Sequence, residues 1–234
     1  MSEVIADNPV SDLVLDIVEG HRLFKEQGGP LDAKFQAGHP ESRVLLMAGE
    51  NASGKSLMVQ VLAAFLGLGK IEALQVSMRY RTMPGMHRCF MYSAFGDESN
   101  STGAESLTAL EGAMRTAEGR TKPTWLMLDE PDTGLADSYC TPMGQHLAQF
   151  GNRMPLNQCQ GFVVLTHSRK LVQSMAFHLE KQPHFLCFSD LESDDLMTAW
   201  LEDERERSLS DLLSLSTRSM ELHRAVQNIL DGKK

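Results

Sequence analysis

Three short clusters in this sequence combine residue types that handle phosphate. The first is Gly49-Glu50-Asn51-Ala52-Ser53-Gly54-Lys55-Ser56, which fits the pattern G-x-x-x-x-G-K-[ST]. Its glycines let the backbone curl until successive N–H groups point at an anion, and the helix expected to follow adds a favourable field at its N-terminus. Lys55 is expected to reach the β- and γ-phosphates of a nucleotide, and the Ser56 hydroxyl to ligate Mg2+. Ala52 stands where many such loops carry glycine; it restricts the loop without removing a donor. The second cluster, Asp129-Glu130-Pro131, ends the apolar run Leu126-Met127-Leu128. Asp129 is expected to hold Mg2+, and Glu130 to polarise an attacking water as general base. The third, Thr166-His167-Ser168, ends the run Val163-Val164-Leu165 and is expected to set His167 against the γ-phosphate. Alone, the second also reads as an ordinary polar turn after a strand, and the lone histidine of the third as a structural residue.

Chemistry at these positions requires elements that bring them to one place. Residues 44–48, 124–128, 161–166 and 184–188 are short continuous apolar runs, as expected of strands buried on both faces. Residues 13–18, 31–35, 73–80 and 88–95 read as further strands. Helices are expected over 56–66, with Leu57, Val61, Ala64 and Phe65 as the apolar stripe, and over 104–117, 138–150 and 169–177. Residues 195–230 carry apolar residues at helical spacing, so the chain divides into an α/β unit, 1–194, and a helical C-terminal tail, 195–234. The tail's leucines suit a partner surface and packing on the core equally well. Strands alternating with helices predict a mostly parallel sheet covered on both faces, whose C-terminal strand ends open on one crevice.

The three clusters, in this order, resemble those of ATP-binding-cassette (ABC) ATPases. The resemblance covers roughly residues 13–190 and implies a P-loop NTPase fold that binds ATP with Mg2+ and hydrolyses it to ADP and phosphate. It also implies a signature segment that caps the ATP of an opposing subunit. Ser101-Thr102-Gly103-Ala104-Glu105 is similar in part to the family's Leu-Ser-Gly-Gly-Gln/Glu, with Thr102 for serine, Gly103 for the first glycine and Ala104 for the second. A plain helix cap is the alternative for these residues. The segment Asp129-Glu130-Pro131-Asp132-Thr133-Gly134-Leu135, with Thr166-His167-Ser168, resembles the RecF-like and OLD-family (overcoming lysogenization defect) ATPases more than transporter subunits. Ala136 falls where transporters carry the dimer-facing aspartate, which leaves Asp137 as a shifted substitute; Ser93 and Gln75 lie near the lever loop with no role assigned. Too few residues separate Ser56 from Ser101 for SMC-like arms. The resemblance thus implies an ATP-dependent homodimer acting as a switch for a separate effector, in DNA maintenance or anti-phage defence. The runner-up is the ATP-binding subunit of a membrane transporter. A small-molecule kinase is a third reading, disfavoured because a kinase has no need of a water-activating Glu130.

Composition sets limits on these readings. The 234 residues are 42% apolar and 23% charged, as in an ordinary globular chain, and carry a formal charge of -9. Acidity on this scale argues that nucleic acid, if engaged, is held mainly through a partner. Arg79, Arg81, His87 and Arg88 form a local basic group that also reads as a solvated surface. No apolar run reaches membrane-spanning length and the first residues lack a signal-peptide pattern, so a cytoplasmic location is expected. Cys89, Cys140, Cys159 and Cys187 are widely spaced, which suits free thiols. Asp190, Glu192, Asp194 and Asp195 read first as a solvated acidic loop and second as a metal site.

Overall fold

A computed structural model of the chain describes residues 9–77 and 102–231. Six strands form one sheet: β1 (Lys34–Gln36), β2 (Val44–Gly49), β3 (Glu72–Ser77), β4 (Thr124–Asp129), β5 (Cys159–Thr166) and β6 (His184–Phe188). Their order across the sheet is β1-β6-β2-β5-β4-β3. All pairings are parallel except the edge pair β1–β6. Every residue of β2, β4 and β6 is buried, which is why these strands read as unbroken apolar runs.

Strand side chains alternate between two faces, and each face has its own core. Leu46, Leu126, Phe162 and Phe185 face a layer formed by α3 (Thr102–Glu118), α4 (Cys140–Gly151), α5 (Arg169–His178) and α6 (Leu196–Glu202). Leu45, Trp125, Val163 and Leu186 face the other layer, formed by α1 (Pro9–Gly20), α2 (Lys55–Leu68) and α7 (Leu209–Leu230). The result is an α/β architecture of helices, mostly parallel sheet and helices.

Two expectations change. Residues 13–18 are not a strand but the centre of α1. The window was too short: Val10, Val14, Ile17 and Val18 fall at helical spacing and are all buried. In α2 the buried residues are Met58, Val59, Leu62 and Leu66, so the stripe is turned from the expected one, and Leu57, Val61 and Phe65 are only partly buried. Of 73–80, β3 covers 72–77; the strand expected over 88–95 lies outside the described residues, as do Cys89 and the basic group at 79–88.

Part of the tail packs on the core. Leu196 and Trp200 of α6 are buried in one core, and Val226 of α7 in the other with Leu222 and Ile229 packed beside it. Leu209, Leu212, Leu213 and Met220 of α7 remain exposed. Among the described residues no helix is long and apolar enough to cross a membrane.

Candidate functional site

Strand β2 ends at Gly49 and delivers the loop that leads into α2. Gly49 lies against β6: a Cβ there would come 2.8 Å from the Phe188 Cβ and carbonyl oxygen. The turn passes through left-handed backbone at Ala52 (φ 60) and Gly54 (φ 99). Lys55 follows and is 4% exposed. Its Nζ folds back under the loop and donates to the Gly49 carbonyl at 2.9 Å and to the Glu50 carbonyl.

The N-terminus of α2, like that of α4, lacks the side-chain cap found at α5, α6 and α7. Ser168, Asp195 and Ser208 each accept an amide hydrogen bond at the starts of α5, α6 and α7. At α2 the N-cap is Gly54, no side chain caps the first turn and no acidic residue stands in it. Unsatisfied first-turn amides with a positive dipole end favour an anion. The buried Ser53 Oγ beside them has no hydrogen-bond partner among the described residues. A helix start with no side-chain cap, a buried ammonium and an unmatched hydroxyl fit the polyphosphate that the residue pattern implies.

The other two clusters arrive on adjacent strands. Ala48 of β2 pairs with Thr166 of β5, and Asp129 of β4 with Leu165 of β5. The chain therefore leaves β2, β5 and β4 at one level, with the outer two about 10 Å apart, or two strand spacings. Asp129 is buried and accepts a hydrogen bond from Ser77 Oγ of β3 at 2.9 Å. Ser56, partly buried in the first turn of α2, and Asp129 are oxygen donors of the kind Mg2+ takes.

Glu130 is buried and holds the left-handed conformation (φ 53), unusual for a residue with a side chain. Its N–H donates to the Leu165 carbonyl at 2.8 Å, which fixes where the turn begins. Its carboxylate lies 3.6 Å from His167 Nδ1, and the imidazole is about half exposed. Interaction with the Glu130 carboxylate raises the His167 pKa above 6.5, opposed by partial burial; Asp132 adds to the rise and Lys55 subtracts from it. A carboxylate beside an imidazole can accept a proton from water, and the neighbouring ring can hydrogen-bond the carboxylate before the transfer. Behind the pair, Thr166 Oγ1 donates to the buried Asp132 carboxylate at 2.8 Å and accepts the Ser168 N–H at 2.9 Å. Sequence reading quoted Asp132 and Thr166 but missed this brace, because the two residues meet only when β4 and β5 pair.

Among the described residues, Gly103 packs on Leu135 and Gly134 and not on the loop of Gly49–Ser56. Thr102 and Gly103 begin α3, and a Cβ on Gly103 would touch the Leu135 side chain at 3.0 Å. Ser106 Oγ, fully buried, donates to the Thr133 carbonyl at 2.9 Å, tying the start of α3 to the turn after Glu130. An open cavity of about 600 Å3 lies here, lined in part by Gly103, Leu107, Leu135, Tyr139 and Met143. Ser101 and Ser93 lie outside the described residues; Gln75 sits exposed on β3. Asp137 forms an ion pair with Lys170 of α5. The acids after β6 have ordinary partners: Asp190 pairs with Arg205, Glu192 lies 3.6 Å from Lys34, and Asp195 caps α6.

A second cavity, about 290 Å3, opens at Gly49, Glu50 and Asn51 beside His167. Its far wall carries Arg205, Arg207 and Arg218 from the C-terminal segment, which the sequence reading did not connect with the loop. Sequence comparison finds no matching family profile and no matching curated protein.

Proposed function

We propose that the chain is an ATP-binding and ATP-hydrolysing P-loop ATPase of the ABC type. The observation that carries this reading is the level alignment of three strand ends: the Gly49–Ser56 loop, Asp129-Glu130 and Thr166-His167 leave β2, β4 and β5 side by side. Loop amides and Lys55 hold the phosphates, and Ser56 and Asp129 hold Mg2+. When bound, Mg2+ neutralises charge on the transferring phosphoryl group. Glu130 takes the proton of the attacking water. His167 stands beside it and steadies the developing charge.

The switch reading is supported by the packing of Gly103 on Leu135 and Gly134, with no atom of the phosphate loop among its near neighbours in the described residues. A segment that caps no nucleotide in its own subunit is free to cap one in a second copy. The cavity beside Gly103, with Leu107 and Tyr139 exposed at its rim, offers apolar surface for such a contact. The ATP-bound dimer then acts on a separate effector, in DNA maintenance or anti-phage defence, and hydrolysis releases it.

Phosphate release from Mg2+-ATP, with no acceptor present, tests the activity. Lys55→Ala is expected to abolish nucleotide binding and Glu130→Gln to abolish turnover while keeping binding. Near-normal ATP affinity in Lys55→Ala would refute the loop assignment. Size-exclusion chromatography of Glu130→Gln with and without ATP tests the switch; a monomer in both runs counts against it.

A further inference from the structure

The cavity at the mouth of the phosphate loop has a wall that the proposed ATPase reading does not use. Its lining includes four arginines, Arg169, Arg205, Arg207 and Arg218, against two carboxylates, Glu50 and Asp211. Three of the arginines come from the C-terminal segment and face Gly49, Glu50, Asn51 and His167.

The segment is built to hold them there. Leu222, Val226 and Ile229 seat α7 on the same apolar cluster as α2, and a Cβ on Gly54 would come 3.4 Å from Leu222. The helix starts with a reciprocal cap: Ser208 Oγ accepts the Asp211 N–H at 3.1 Å, and the Asp211 carboxylate accepts the Ser208 N–H at 2.9 Å. That cap fixes the chain direction one residue after Arg207, whose guanidinium forms an ion pair with Glu50 of the phosphate loop. Arg205 is anchored from behind by Asp203 at 2.7 Å and Asp190 at 3.2 Å. Arg169 lies over the Trp200 ring at 5.2 Å and donates to the Trp200 carbonyl at 3.1 Å.

Carboxylates already meet Arg207 (Glu50) and Arg205 (Asp203 and Asp190), and the guanidinium fork matches phosphate oxygens as it does carboxylates. At about 290 Å3 the cavity is at the small end of ligand pockets, suited to a phosphate group rather than a whole nucleotide. We propose that this wall is a subsite, supplied in cis, for the terminal phosphate of a nucleoside triphosphate seated on the Gly49–Ser56 loop. Arg207 and Arg218 contact that phosphate, Arg205 and Arg169 support the field, and Glu50 holds Arg207 in place beforehand. The proposal rests on the ATPase reading and adds what distinguishes triphosphate from diphosphate.

Isothermal titration of the full chain with Mg2+ and either ADP or the β,γ-imido analogue of ATP tests it, in wild type, Arg207→Ala, Arg218→Ala and the double variant. Loss of a charge-assisted hydrogen bond is expected to weaken the triphosphate analogue by about tenfold or more in each single variant. ADP affinity is expected to change by less than about twofold. Equal weakening of both nucleotides, or of neither, in variants with wild-type melting temperatures overturns the subsite and leaves the ATPase reading standing. Wild-type protein that binds neither nucleotide overturns both.

Discussion

Replacing Glu130 with glycine is expected to make the protein more stable than replacing it with alanine. Both changes remove the carboxylate and its contact with His167, so those losses cancel in the comparison. What differs is the backbone: position 130 has φ 53, where a Cβ crowds the following carbonyl. That crowding costs about 1–2 kcal/mol for a residue with a side chain. Glycine gives back about 0.4–1 kcal/mol of this through its larger unfolded-state entropy. The net advantage of glycine is therefore about 1 kcal/mol, which for a chain of this size raises the melting temperature by roughly 2–4 °C. Thermal unfolding of both variants, followed by circular dichroism in one buffer, reads the difference directly. Neither variant is expected to release phosphate from ATP. An alanine variant that melts at or above the glycine variant would refute the claim that strain is held at this turn. If the strained turn aims the base, Glu130→Asp should keep the charge and still lose most activity, since the shorter side chain cannot reach the same point.

Three further outcomes are expected. Thr166→Val removes the donor to the buried Asp132 carboxylate at nearly constant volume and should cost about 2 kcal/mol of stability, with Thr166→Ser recovering most of it; urea denaturation measures both. The His167 imidazole should titrate above 6.5 by NMR and fall back in Glu130→Gln; because its folded pKa is raised, its contribution to stability is full below about 6.5 and is lost as pH rises through the folded value. His184 should behave oppositely: burial lowers its pKa, its Nδ1 accepts the Gly38 N–H at 3.0 Å, and stability should fall as pH drops below about 6.5, an acid loss absent from His184→Gln.

The sheet was legible because parallel strands buried on both faces leave unbroken apolar runs, and 44–48, 124–128, 161–166 and 184–188 are such runs. The site was legible where a polar cluster ends one of them. α1 was misread because residues 13–18 are apolar at every position but Asp16, a run too short to show its period, while the helical stripe starts at Val10, before that window. The stripe of α2 is turned because its buried residues share a cluster with strand residues from distant parts of the chain, and helical periodicity carries no information on which distant element arrives. For the same reason Arg205, Arg207 and Arg218 gave no signal. Nothing local marks a guanidinium whose partner, Glu50, lies near the other end of the chain.

The packing of α7 has a consequence for how the protein is made. Synthesis proceeds from the N-terminus, and the last strand, β6, is complete at Phe188. The sheet and the helices of its other face can therefore assemble while α7 is still inside the ribosome. The face carrying α1 and α2 gains its last buried side chain, Val226, only when α7 has emerged and docked. Until then the phosphate loop sits beside open apolar surface, the kind of exposure that invites aggregation during folding. Closure of that face and arrival of Arg207 at Glu50 then become a single late event, so the nascent chain acquires its complete loop environment only after the rest of the fold is in place.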